Sequence, residues 1–344
     1  MLASRLWDFY SCEEMNKWFW VLLTLFFMSG CARGQDAPRP IRLTEMPQTP
    51  LSIPAGQYSG ISFVQGKQFV VVDDKVRGGG IQSFVVQVDS LGYLESVLAT
   101  SLKANDSGEK GLDNEDIVYA SGRHTLFVAS EGTQTIREYN LSGKPTGASL
   151  AVPEAFGLSY ITPNRGFEAL AYNEATGLFW TTTEVPLIAD SLYRFQSFSA
   201  ETLESAQQFL YAAEPPAVEQ SAISSARAYV FGIPAITALD DGRLLVLERE
   251  VYVPQGGLGT LLTDSFTAAT IYEVDPVRCK APVLEKKLLL SFRTSALNLA
   301  NFEGMCLGPV LPDGTQTLLL IADSQNGAYG LVGEYIKVIK LQYE

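Results

Sequence analysis

The sequence predicts an all-β chain folded as a five-bladed β-propeller. Three observations point there. After Pro50 no segment sustains helical periodicity; short apolar runs are broken by Gly, Asn, Asp and Pro. One hairpin pattern recurs, as NEDIVYASGRHTLFVASEG from Asn114, GFEALAYNEATGLFWTTTEV from Gly166 and NFEGMCLGPVLPDGTQTLLLIADS from Asn301. Two weaker copies, SGISFVQGKQFVVVDDK from Ser59 and IPAITALDDGRLLVLERE from Ile233, bring the starts to positions 59, 115, 168, 235 and 303. The intervals of 56, 53, 67 and 68 residues are each the length of a four-stranded blade with some loop insertion.

Each hairpin is followed by an outer strand pair. SFVVQVD and LESVLATSL complete the first blade, and TIREYNLSG and ASLAVP the second. SLYRFQSFS and AQQFLYAA complete the third, and TIYEVDP and KKLLLSF the fourth. The last copy has only EYIKVIKLQYE after its hairpin, so its fourth strand must come from elsewhere. IRLTEMP, Ile41 to Pro47, is the natural donor, and such closure removes a sheet edge that would otherwise invite aggregation. A degenerate sixth blade within 215–233 is the alternative count, and a two-sheet sandwich the alternative architecture.

Of 344 residues, 47% are hydrophobic and 18% charged, which fits a globular chain with a large core. The formal net charge of -13 argues against nucleic-acid binding, which needs a cationic surface, and permits cation binding. The N-terminus reads as an export signal over 1–31. Lys17 precedes the apolar run Trp18 to Met28, too short for a comfortable span but suited to a signal core. Ser29-Gly30-Cys31 follows, in the pattern of a bacterial lipobox with Met28 where Leu is usual, which makes Cys31 the lipidation site. A plain cleaved signal is the alternative. The acids in MLASRLWDFYSCEE sit oddly before a signal, so Met15 rivals Met1 as the start. Residues 32–50, rich in Pro, read as a tether that includes the closing strand, and 51–344 as the propeller. Cys279 and Cys306 fall in different repeats and read as separate thiols, and no CxxC pair points to zinc.

The acids carry the functional signal. In a propeller the innermost strand of each blade lines the central channel, so a residue repeated at one point in each copy belongs to a ring at one mouth. Glu115, Glu168 and Glu303 hold that point, and Glu131, Glu184 and Asp323 end the return strands beside them. Carboxylates crowded together raise one another's pKa unless a positive group joins them. A hard cation such as Ca²⁺ is one solution, since it takes oxygen ligands without His or Cys. Arginine is the other: Arg165, Arg249 and Arg77 stand near the hairpin ends, and a guanidinium forks equally well onto carboxylate or phosphate. The same acids could instead tie blade to blade and hold no ligand. His124, the only histidine, falls beside a hairpin turn, and no GxSxG elbow is present, which disfavours a serine nucleophile. Asp241-Gly242 and Asp313-Gly314 read as turns. The loop DSGEKGLDNED from Asp106 lacks EF-hand spacing.

NEDIVYASGRHTLFVASEG, RGFEALAYNEATGLFWTTTEVP, ALDDGRLLVLERE and NFEGMCLGPVLPDGTQTLLLIAD, in this order, resemble the bacterial phytase-like family, whose domains are described as esterase-like. The resemblance implies a propeller, export or envelope attachment, and phosphoester chemistry at repeated acids. On matching positions it carries over Glu115, Glu131, Arg165, Glu168, Glu184, Glu248, Arg249, Glu303 and Asp323. The pattern is broken at Pro234-Ala235 in the fourth copy and at Ser59 in the first, so the acid ring is incomplete.

Two functions follow. The first is a Ca²⁺-assisted phosphoester hydrolase. In it Glu115, Glu168, Glu303 and Asp323 are catalytic, Arg165 and Arg249 bind phosphate, and Glu115, Glu131, Glu168, Glu184 and Glu303 hold metal. The substrate is then a phosphorylated small molecule attacked directly by water. The second is a non-catalytic propeller lipoprotein that presents its mouth to an envelope ligand, with Tyr160, Phe167, Trp180 and Tyr252 supplying contact area. Either way the protein is read as an exported monomer that touches the membrane only through its lipid.

Overall fold

The structure is a computed structural model that describes residues 37–47, 53, 56–73, 80–100, 103–104, 112–324, 333 and 335–344. The signal segment with Cys31 and both candidate starts, Arg77 and most of the loop from Asp106 lie outside the described residues.

The strands form five antiparallel sheets, one per predicted blade. The inner strands are Tyr58–Gln65, Asn114–Ala120, Phe167–Asn173, Ala228–Ala238 and Asn301–Val310. They touch in cyclic order, the fifth against the first, which makes a ring. Residues 215–233 hold a short helix, Gln220–Ser224, and the start of the fourth inner strand, not a sixth blade. The missing outer strand of the last blade is Ile41–Glu45, paired antiparallel with Ile336–Tyr343 in the register Ile41 opposite Tyr343. The first blade gains a two-residue strand, Lys103–Ala104, on its third strand.

Blade strands here read as continuous apolar runs because both faces are covered. In the second strand of blade one, Phe69 and Val71 pack into a core shared with blade five. Val70 and Val72 between them pack into a core shared with blade two. Alternate residues of one strand therefore enter different cores. The same division gives cores between blades two and three, three and four, and four and five. The two Asp-Gly pairs are turns as read, with Gly242 at φ 88° and Gly314 at φ 85°, the left-handed region that glycine enters without penalty.

One feature was not legible. Every inner strand slips register by one residue near its start, between Tyr58 and Ile61, Asn114 and Asp116, Phe167 and Ala169, Gly232 and Ala235, and Phe302 and Gly304. The slip is a β-bulge, which bends a strand and re-aims the extra side chain. Glu115, Glu168 and Glu303 are the extra residues in three blades. Pro234 is tolerated in the fourth because a bulge leaves an amide out of the ladder.

Just past the bulges the strands crowd the axis. A Cβ on Gly304 would meet the Ser59 carbonyl oxygen at 2.8 Å and the Ile61 nitrogen at 2.9 Å. A Cβ on Gly60 would meet the Asp116 Cα at 2.6 Å. Asp116 bridges to the third blade, its Oδ2 accepting from the Leu170 amide at 2.6 Å while Oδ1 accepts from Ile117 at 2.8 Å. Burial holds its carboxyl well above the usual range despite those two amides. The channel thus has a waist, with the acids on one side and the hairpin turns on the other.

Candidate functional site

The bulges and the ends of the return strands deliver the acids to one mouth. Asp113, Glu115 and Glu131 each place a carboxylate oxygen within 4.8 Å of the others. Glu131 Oε1 also accepts from the Gly166 amide of the next blade at 2.5 Å. Burial pushes the Glu131 carboxyl up to about 7. Glu184 and Asp113 add to the rise, while the Gly166 amide and Arg165 oppose it.

Arg249 anchors the other side. It is fully buried, with Nη2 at 2.6 Å from Glu184 Oε1 and Nη1 at 2.9 Å from Glu303 Oε1. Nη1 also donates to Asn301 Oδ1 at 2.9 Å, and the Asn301 amide donates to the same Glu303 oxygen at 2.7 Å. Burial works against its charge, but Glu303, Glu184 and Glu168 outweigh it and hold the guanidinium pKa above its ordinary value. Arg165, at the rim with its side chain 31% exposed, pairs with the other oxygen of Glu184.

Glu168 lies between the two groups. Burial is the largest cause holding its carboxyl well above the usual range; Glu184, Glu115 and Glu303 add to it and Arg249 opposes. The mouth holds more carboxylates than guanidiniums, and a proton on Glu168 relieves the excess.

Of the sequence-assigned residues, Glu115, Glu131, Glu168, Glu184, Glu303, Arg165 and Arg249 converge here. Asp323 is buried at the edge of this group, in register opposite Asn301. Arg249, read as a phosphate ligand, is instead enclosed by Glu184, Glu303 and Asn301 and has no open face. Glu248 does not belong to this cluster. Its Oε1 accepts from Tyr211 Oη at 2.5 Å and from Lys286 Nζ at 2.9 Å, and its Oε2 from the Glu214 amide at 3.0 Å. By register from the first regular pair after the bulge, the fourth-blade counterpart of Glu131, Glu184 and Asp323 is Arg249, and Glu250 lies one residue beyond it. Glu250 is spent on the 214–218 loop, accepting from the Ala217 and Val218 amides at 3.0 and 3.1 Å. Phe167 and Trp180 are core residues and Tyr160 is exposed.

Asp113 and Asn301 were missed. Asp113 and Glu115 are two apart, so an extended chain puts them on one face; that signal was present in LDNED. Asn301 carried none, because its role depends on an arginine 52 residues away.

The raised Glu168 carboxyl sets a pH test. A folded-state pKa above the unfolded value stabilises the fold below the unfolded pKa, and that contribution is lost as pH rises through the folded pKa. In chelator, Glu168→Gln, which mimics the protonated side chain, should match the parent melting temperature near pH 4.5 and exceed it increasingly toward pH 9. Parallel melting curves across that range would remove the buried proton.

The chain is similar to several solved structures. The Dos1 propeller is 11% identical, with 82% of this chain and 68% of that one covered at a TM-score of 0.36. The PQQ-bound aldose sugar dehydrogenase of Streptomyces coelicolor is 10% identical over 89% and 99%, TM-score 0.42. The Myceliophteria thermophila Cps50 (Swd1) β-propeller domain is 10% identical over 85% and 98%, TM-score 0.36. A search of curated proteins returns no match. Residues 53–325, spanning all five acid-mouth hairpins, match the family model described as "Phytase-like: Esterase-like activity of phytase". The chain therefore belongs to the phytase-like propeller family.

Proposed function

We propose that this protein is an exported, lipid-anchored phosphoester hydrolase that works at the acid mouth with a divalent cation, calcium first. The observation that carries the reading is the convergence of Asp113, Glu115 and Glu131, three carboxylates within 4.8 Å of one another. The donor set fits a hard cation: it is all oxygen, and burial, with Glu184 and Asp113 adding to it, makes the charged form of Glu131 costly in a way that a cation would relieve. When bound, the ion would supply charge to a phosphoryl oxygen.

The chain's own residues do the rest. Arg165 at the rim is placed to orient phosphate, as a guanidinium fork does. Burial raises the Glu168 carboxyl well above its usual range, which suits it to protonate a leaving alkoxide, as carboxyls tuned upward by burial do. Arg249 keeps Glu184 and Glu303 in place, which makes Glu303 a positioning group. Asp323, beside Asn301, buttresses that arrangement from the neighbouring strand. The Ser29-Gly30-Cys31 motif supports envelope anchoring at Cys31. Among the described residues no helix is long and apolar enough to cross a membrane. The substrate is a small phosphorylated molecule, and the protein acts as a monomer.

Turnover of an aryl phosphate should need calcium, stop with chelator, and fall at least about a hundredfold in Glu168→Gln and Asp113→Asn, the range for a lost acid or ligand. Calcium affinity by calorimetry should weaken about tenfold from pH 8 to pH 6, since Glu131 must release its proton to bind. Full turnover in Glu168→Gln, or calcium binding that ignores pH, would sink this mechanism. A second reading, a non-catalytic envelope binder, is favoured by the pairing of Arg249 and Arg165 with Glu184 and Glu303. It predicts calcium binding without turnover.

A further inference from the structure

The waist leaves a second opening, on the side of the hairpin turns. A cavity of about 330 Å³ lies there, and every inner strand contributes to its wall. Phe63, Tyr119, Tyr172, Thr237 and Leu307 come one from each blade, two or three residues beyond the first regular pair after its bulge. All five line the cavity, and all but Thr237 are partly exposed. The contacts of Gly60 and Gly304 at the axis part this space from the acid mouth.

The polar groups of the wall are largely satisfied within it. Ser62 Oγ accepts from the Tyr119 amide at 2.9 Å, and Thr237 Oγ1 donates to the Met305 carbonyl at 2.7 Å. The Asn173 amide donates to the Leu239 carbonyl, and its Oδ1 accepts from the Thr176 amide at 2.7 Å. Two carboxylates remain at the rim, Glu174 and Asp240, both exposed. Glu174 accepts one bond, from Ser121 Oγ at 2.5 Å. Among the described residues neither acid has a lysine or arginine partner, and no basic residue lines the cavity. An apolar floor, two tyrosine rings and two carboxylates without a counter-charge remain to meet a ligand.

We propose that this far mouth binds a small organic cation, a primary or quaternary amine with an apolar or aromatic body. The body would lie among Ile236, Met305 and Leu307, and the cationic head between the tyrosine faces and the two acids. Aromatic faces and carboxylates both attract an ammonium group, and both disfavour an anion. At about 30 Å³ per water, the volume admits on the order of ten non-hydrogen atoms, and it sits at the lower end of the usual range for ligand pockets. The site is independent of the phosphoester reading, because the same acids repel phosphate.

The test uses 2-phenylethylammonium and benzyltrimethylammonium as probes, with 2-phenylethanol and phenylacetate as neutral and anionic controls. Binding to the purified chain is read by calorimetry and ligand-observed NMR at low salt. Both cations should bind at least about tenfold more tightly than the alcohol, and phenylacetate should not bind. The double variant Glu174→Gln/Asp240→Asn should lose that preference while keeping the weak affinity for the alcohol. Leu307→Trp, which fills the cavity, should lose both. Glu115→Gln at the opposite mouth should leave the amine affinity unchanged. The proposal is overturned if neither cation binds, if cation and alcohol bind equally, or if Glu115→Gln abolishes amine binding while the double variant keeps it. That last result would place the amine at the acid mouth and leave the calcium assay untouched.

Discussion

Arg249→Met is expected to destabilise the fold by about 3–5 kcal/mol, the usual cost of removing one partner from a buried ion pair. The guanidinium has no exposed surface and serves Glu184, Glu303 and Asn301 together. Glu184 keeps Arg165 after the change, but Glu303 loses the guanidinium that balances its charge. Glu168 loses a positive neighbour that opposes its protonation, so its carboxyl should titrate higher still. Arg249→Lys should recover only part of the loss, because an ammonium cannot fork onto groups at three positions. Adding Glu303→Gln to Arg249→Met should recover more, by removing the stranded charge. Urea unfolding in chelator at pH 7 measures all three. A loss under about 1 kcal/mol for Arg249→Met would show the network to be loosely solvated and not a keystone.

The second large effect is at the ring's seam. A chain lacking residues 37–47 should lose about 3–6 kcal/mol from two side chains alone, since Ile41 and Leu43 are buried in the core between blades four and five. The ladder to Ile336–Tyr343 goes with them. Lys337, itself buried, loses Glu45, which it meets at 2.7 Å. What remains is an open edge reading IKVIKLQY, and apolar edges of that kind recruit other chains. The truncated protein should elute as oligomers and unfold at lower denaturant. A peptide covering residues 37–47 should bind it and restore the monomer. A truncated chain that stays monomeric with an unchanged midpoint would mean that the other strands close the ring unaided.

Much of this protein could be read locally. Ile41 to Pro47 was identifiable as the closing strand because the last repeat lacked one and this was the only spare apolar run outside the signal. The acids could be placed together because each stands at a fixed distance from a turn. Misreadings arose where one residue's shift changed the answer. The family resemblance set Glu248 beside Glu184. Register from the first regular pair after the bulge makes the true counterpart Arg249, one residue further along the return strand. The role of Arg249 was likewise out of reach, since its partners lie on other blades.

From the sequence alone came the blade count, the hairpins, the donor of the last strand and the membership of most of the acid mouth. These depend on period, on turn residues and on apolar runs, which act over a few residues and survive any change in distant packing. Tertiary structure alone decided which carboxylates meet Arg249, which three stand close enough for a cation, and that the channel closes into two separate mouths. Those outcomes turn on contacts of about 3 Å between strands far apart in the chain, and a β-bulge or a missing Cβ at the axis is enough to redirect them.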